Sequence, residues 1–151
     1  MVRRIVTGNN EQGRSYFVSD EQIAEMYVWQ SMQAPVQLGE GVPVLPSTAP
    51  GIEPPAGGSK VTRVQMEPWA QMKEQFAHGG MEGLDSEGFH RTTTIDYIMM
   101  VSGEVDLILD EGRTTVRAGD LVVQRNTNHA WHNMGETLVD FWGVMVSLLP
   151  G

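Results

Sequence analysis

Four side chains between Gly88 and Gly103 are of types that do chemistry: His90, Thr92, Thr94 and Asp96. Their spacing is two, and in an extended strand alternate residues share a face, so all four point the same way. An imidazole, two hydroxyls and a carboxylate are costly against a dry core, because each then needs a hydrogen-bond partner. Ile98 and Met100 continue the same face as an apolar wall, and a few polar groups on an apolar lining make a small-molecule pocket. Ile95, Tyr97, Met99 and Val101 cover the opposite face, so the segment reads as a central strand.

The stretch Gly119–Asn133 adds a second group. Asn126 to Asn128 forms a turn, and His129-Ala130-Trp131 starts another strand with His129 and Trp131 on one face and His132 on the other. His132 is expected at the surface or behind the site, and His78 in a loop. A lone His129 beside Trp131 would read as a satisfied core histidine; with His90 and Asp96 it reads as part of a site. Two imidazoles and a carboxylate can share proton transfers, one imidazole accepting while the other returns. Thr92 and Thr94 would fix the substrate by hydrogen bonds, with Ile98, Met100 and Trp131 as its apolar contacts. Arg91 and Arg125 flank the two stretches, either as a solvated rim or as contacts for an anionic substrate, and Trp29, Trp69 and Trp142 are expected in the core or in a dimer surface. Glu82, Asp85 and Glu87 lack the ligand spacing of a calcium loop and read as a solvated loop.

The elements that must hold these residues are short and mostly extended. The chain has 151 residues, enough for one core. Val105, Leu107 and Leu109 alternate with Asp106, Ile108 and Asp110; Glu111-Gly112 turns, and Thr114-Thr115-Val116 resumes. Leu121–Val123, Ala130-Trp131 and Leu138–Leu149 follow, divided by turns at Gly119 and Gly135. Close-spaced strands without intervening helices predict an all-β sandwich or barrel of jelly-roll type. A short helix is expected over Ser19–Met26 before a strand at Tyr27–Trp29, with another turn or two between Pro68 and Ala77. Five of the 8 prolines lie between Pro43 and Pro55, so residues 34–59 read as an irregular arm, either lying across the barrel mouth or a partner subunit or forming a mobile surface loop. The single domain therefore divides into N-terminal strands (1–33), this arm, and a barrel over 60–149.

Composition narrows the function classes. A net charge of -9 from 10 basic and 19 acidic residues disfavours nucleic acid and anionic membranes as partners. With no cysteine, disulfides, thiolate metal sites and a cysteine nucleophile are excluded. No apolar leader follows Met1-Val2-Arg3-Arg4, and Phe141–Leu149 is about half the length of a membrane span, so the expected location is cytoplasmic.

The two stretches, 88–103 and 119–133, resemble the paired motifs of the cupin superfamily, of small single-domain type with a Thr-x-Asp-Tyr signature at Thr94–Tyr97. His90 fits the first motif histidine, Asp96 stands where a glutamate is usual, and Gly103 closes the motif. Gly119-Asp120 opens the second motif, and His129 and Asn133 close it. The resemblance implies a cupin double-stranded β-helix. Thr92 replaces the second motif histidine, and Gln124-Arg125-Asn126 replaces a Pro-x-Gly turn. Of the family's metal ligands the resemblance carries over only His90, Asp96 and His129, a two-histidine, one-carboxylate set for one divalent ion such as Fe, Mn, Ni, Co or Zn.

Three functions follow as expectations. The first is an enzyme doing acid–base lyase, isomerase or dehydratase chemistry on a small carbonyl, phenolic or cyclic substrate. The second is a metal-dependent dioxygenase or decarboxylase on the same three residues, and the third a cupin that binds a small molecule without turnover. A homodimer is expected, with Arg3–Thr7 and the arm as exchange elements.

Overall fold

The structure is a computed structural model that describes residues 2–9, 11, 12, 14–31, 33, 51–78 and 83–148. In chain order its elements are β1 (Val2–Asn9), β2 (Ser15–Ile23), β3 (Tyr27–Ser31), β4 (Ser59–Met66), α1 (Trp69–Ala77), β5 (Thr94–Ser102), β6 (Glu104–Leu109), β7 (Arg113–Arg117), β8 (Leu121–Arg125), β9 (His129–His132) and β10 (Val139–Ser147). Two antiparallel sheets face each other: five strands in the order β3-β4-β10-β5-β8, and three in the order β7-β6-β9. β1 and β2 form a separate antiparallel pair. This is an all-β, cupin-type double-stranded β-helix with one short helix. No helix among the described residues is long and apolar enough to cross a membrane.

Period-two patterning sorts the residues between the sheets and the outside. Thr94, Asp96, Ile98 and Met100 of β5 are buried, while Tyr97, Met99 and Val101 face out. One end of the barrel is filled by a packed apolar cluster of Ile98, Met100, Val105, Leu107, Val116, Val139 and Phe141. The other end carries the buried Thr92, Thr94, Asp96, Gln124 and His129. Gly103 makes the turn from β5 to β6 at a φ of 77°, and a Cβ there would come within 2.9 Å of Val139 Cγ2. Glycine meets both demands.

Three expectations are corrected. Ser19–Met26 is not helical: Ser15–Ile23 is β2, paired with β1 from Asn9↔Ser15 to Val2↔Ile23. An eight-residue helix has too few turns to offset its nucleation, and the ladder satisfies the same backbone groups. The central strand is only half-covered, for Tyr97, Met99 and Val101 are 38%, 42% and 51% exposed even though β5 lies between β10 and β8. Sequence alternation told the two faces apart but not which of them another layer covers. His132 is buried rather than superficial. It stacks on Trp69 at 3.8 Å and donates through Nε2 to the Glu87 carbonyl at 2.8 Å. The helix that brings Trp69 there was expected between Pro68 and Ala77, and its Trp69 amide is satisfied by the Asn133 carbonyl at 2.7 Å.

Residues 34–50 of the arm lie outside the described residues. The remainder, from Gly51 on, is fastened to the polar end of the barrel. Buried Lys60, on β4, donates through Nζ to the carbonyls of Gly51, Ile52 and Glu53 at 3.2, 3.3 and 2.7 Å. Its ammonium also lies 4.4 Å from the centre of the Tyr27 ring. The Glu53 carboxylate accepts from the Thr93 amide at 2.9 Å, beside the strand that carries Thr92 and Thr94.

Candidate active site

His90 and His129 face each other across the barrel wall. Their backbones exchange two hydrogen bonds, each 3.0 Å, and their rings are 4.2 Å apart, centre to centre. Each imidazole is fixed in the same way, Nδ1 lying 3.1 Å from the Gly88 carbonyl in His90 and 2.9 Å from the Thr127 carbonyl in His129. A carbonyl only accepts, so in both rings the tautomer with its proton on Nδ1 and its lone pair on Nε2 is the one selected.

Asp96 and Gln124 are directly paired residues of β5 and β8. The Gln124 amide donates to Asp96 Oδ2 at 3.1 Å and to His129 Nε2 at 2.9 Å, using its two N–H bonds. The Thr92 and Thr94 hydroxyls bond each other at 2.7 Å. The inward faces of three strands thus hold a polar cluster running from the threonines through Asp96 and Gln124 to His129, with His90 alongside. His90 Nε2 has no hydrogen-bond partner among the described residues.

Burial sets the protonation states. It pushes His129 down to about 4, against a smaller upward pull from the Thr127 carbonyl and a further downward push from His90, so this imidazole is neutral at ordinary pH. Burial also raises the Asp96 carboxyl above its usual range, partly offset by hydrogen bonds from Thr94 and Gln124 and by the nearby His90; Glu53 adds to the rise. Two buried acceptors, Asp96 Oδ1 and Gln124 Oε1, have no partner among the described residues. Such orphans are costly unless a bound group donates to them.

Of the sequence-derived site residues, His90, Thr92, Thr94, Asp96 and His129 are brought together at this polar end. Ile98 and Met100 lie in the packed apolar cluster instead, and Trp131 packs against it, 5.7 Å from the Phe141 ring and edge-on to His129 at 6.4 Å. Arg91 and Arg125 are exposed. His78 caps the end of α1, its Nδ1 on the Glu74 carbonyl at 2.7 Å. Asn133, which closes the second motif, is structural: it bonds the Met66 and Thr137 carbonyls at 3.0 and 2.8 Å and the Gly135 amide at 3.0 Å.

Sequence reasoning missed Gln124. Its inward parity with Val122 was available, but its position opposite Asp96 follows only from the β5–β8 pairing. It also missed Lys60, whose basic type reads as surface. The turn that replaces Pro-x-Gly puts Asn126 at a φ of 50°, the only non-glycine with positive φ among the described residues. Asparagine is among the few side chains that tolerate this conformation. Its amide bonds the Thr94 carbonyl at 3.0 Å, which ties the turn to the site strand.

The donors His90, Asp96 and His129 do not fit a metal centre as arranged. No three such groups among the described residues converge as metal ligands. The His129 lone pair and Asp96 Oδ2 are both met by an amide N–H of Gln124, a hydrogen donor where a cation would need open lone pairs.

A family model described as Cupin domain matches residues 74–146. Phomopsin biosynthesis cluster protein C' of Diaporthe leptostromiformis is 42% identical over 101 residues, covering 66% of this chain and 43% of that protein. The cupin-domain-containing oxidoreductase srdD of Neurospora crassa is 31% identical over 146 residues, covering 87% of this chain and 66% of that protein. The chain therefore spans less than half the length of the first of these curated relatives. Among solved structures, an RmlC-like cupin family protein of Methanocaldococcus jannaschii aligns with a TM-score of 0.45 at 14% identity, over 59% of this chain and 70% of that one. The chain belongs to the cupin superfamily.

Proposed function

We propose that this cupin is an enzyme that moves protons on a small organic substrate held in the polar end of the barrel, by lyase, isomerase or dehydratase chemistry. The observation that carries the reading is the hydrogen-bonded run Asp96–Gln124–His129 beside the unpartnered His90 Nε2. His90 Nε2 takes a proton from the substrate. The Asp96 carboxyl, its proton affinity raised by burial, donates or accepts at Oδ1. His129 stays neutral, and Gln124 keeps the carboxyl and the imidazole in register. A hydroxyl, enol or amine of the substrate would satisfy the two orphan acceptors. Relatives named for biosynthesis clusters agree with an organic substrate of this kind.

The names of several relatives as cupin-domain oxidoreductases favour a second reading, in which the same barrel runs redox chemistry. The test is turnover of a panel of small carbonyl and phenolic compounds, with and without oxygen, by wild type, His90→Ala and His129→Ala. The acid–base reading predicts turnover without oxygen that falls by about 10²- to 10⁴-fold in His90→Ala, while the fold is retained. Turnover that requires oxygen would contradict it.

A further inference from the structure

Among the described residues the barrel is open on one side. β8 is the outer strand of the five-stranded sheet, β6 lies in the three-stranded one, and between them opens a groove of about 350 Å³. Its walls are apolar, with Leu107 and Leu109 from β6 and Val122 from β8. Three polar residues sit among them, Gln124, Arg125 and Thr127. Gln124 is buried and carries the carbonyl oxygen left without a partner, while its amide holds Asp96 and His129. Arg125 is exposed, and unlike Arg63, Arg113 and Arg117 it forms no ion pair among the described residues. An exposed guanidinium without an ion pair among the described residues, on a chain of net charge -9 and lining the same groove as three apolar side chains and Gln124, is chemically selective.

We infer that this groove holds the body of the substrate, and that the substrate is a small organic anion: an apolar chain or ring against Leu107, Leu109 and Val122, with a carboxylate on Arg125. The inference deepens the acid–base reading and rests on it for the identity of the reacting end. Gln124 is the joint between the two, so a ligand lying in the groove reaches the group that positions Asp96 and His129. The acidic surface does not oppose this, because the anchor is one short-range bidentate contact rather than long-range steering.

The experiment is isothermal titration at low ionic strength with hexanoate and, as the uncharged control, hexanol. Wild type is expected to bind hexanoate about fivefold more tightly than hexanol, the gain of a single exposed charge-assisted contact. Arg125→Gln should erase that preference, and Leu109→Glu should remove binding of both, each variant melting as a folded protein. Equal affinities, a preference that survives Arg125→Gln, or no hexanoate binding would overturn the inference. His129→Ala leaves the groove intact and is expected to keep the preference. The binding result therefore stands or falls separately from the acid–base reading, which turnover decides.

Discussion

His129 shows what a single buried imidazole costs and fixes. With its pKa lowered to about 4 from an ordinary 6.5, it is neutral in the fold, whereas the unfolded chain protonates it below 6.5. The unfolded state then binds more protons, so stability rises with pH across that window and is lost as pH falls from about 6.5 to about 4. The loss is about 3 kcal/mol at one pH unit per 1.4 kcal/mol. Denaturant melts should show it in wild type and not in His129→Gln; an equal acid dependence in both would assign it elsewhere. Asp96, raised by burial, has the opposite sign: the fold favours its proton, and stability falls as pH climbs through its titration. Gln124→Leu strips the donor from both groups, and we expect a loss of about 1–3 kcal/mol. Nitrogen NMR should meanwhile still show the His129 proton on Nδ1, held by Thr127. At this scale the sequence was most legible where alternation governs. Thr94 and Asp96 share a face because they alternate on β5, while Thr92 and His90 lie before the strand, Thr92 bonding the Thr94 hydroxyl and His90 pairing with His129. Gln124 was not legible, because its role depends on which strand lies beside β5.

Among the elements, β4 and β10 decide how the site end is closed. Gly143 of β10 lies where a Cβ would meet Thr62 Oγ1 at 2.9 Å and the Ile98 side chain at 3.2 Å. Gly143→Ala should cost about 1–3 kcal/mol by overpacking, read as a lower melting midpoint in denaturant. Lys60 of β4 clamps the Gly51–Glu53 turn with its three carbonyl contacts, and Glu53 in turn holds the Thr93 amide. Lys60→Met keeps the stem but not the donors. Hydrogen exchange at the Thr93 amide should then speed up by at least tenfold, while amides of the apolar cluster at the other end keep wild-type rates. Unchanged exchange at Thr93 would show that the turn holds itself. The strands from β5 to β10 were readable from period-two runs and glycine turns. β2 was misread because Ser19-Asp20-Glu21 is good helix-cap chemistry, which outweighed the hairpin partner β1 ending at Asn9, just before it.

At the scale of the molecule the outer surface of β5 and β8 stands out. Tyr97, Met99, Val101, Leu121 and Val123 are exposed on neighbouring strands, an apolar patch of the kind that marks an association surface. The expectation of a homodimer falls most naturally on this face. Light scattering after gel filtration is predicted to give twice the chain mass, and Met99→Lys with Val123→Lys to give the single mass with the barrel intact. A monomeric wild type would refute it. Barrel architecture was legible because closely spaced short strands leave few alternatives. Which outer faces stay open was not, since alternation of apolar residues looks the same whether the second face meets solvent or another chain.

The central claim of the proposal is that His90 and Asp96 transfer protons beside a neutral His129 held by Gln124, and that the three do not ligate a metal. Elemental analysis of the purified, untagged protein, before and after reconstitution with Fe, Mn, Ni, Co and Zn salts, tests this most directly. The account predicts well under one equivalent of any of them, unchanged by His90→Ala or His129→Ala. One equivalent per chain that is lost in both variants would contradict it, and would mean that Gln124 gives way to a cation.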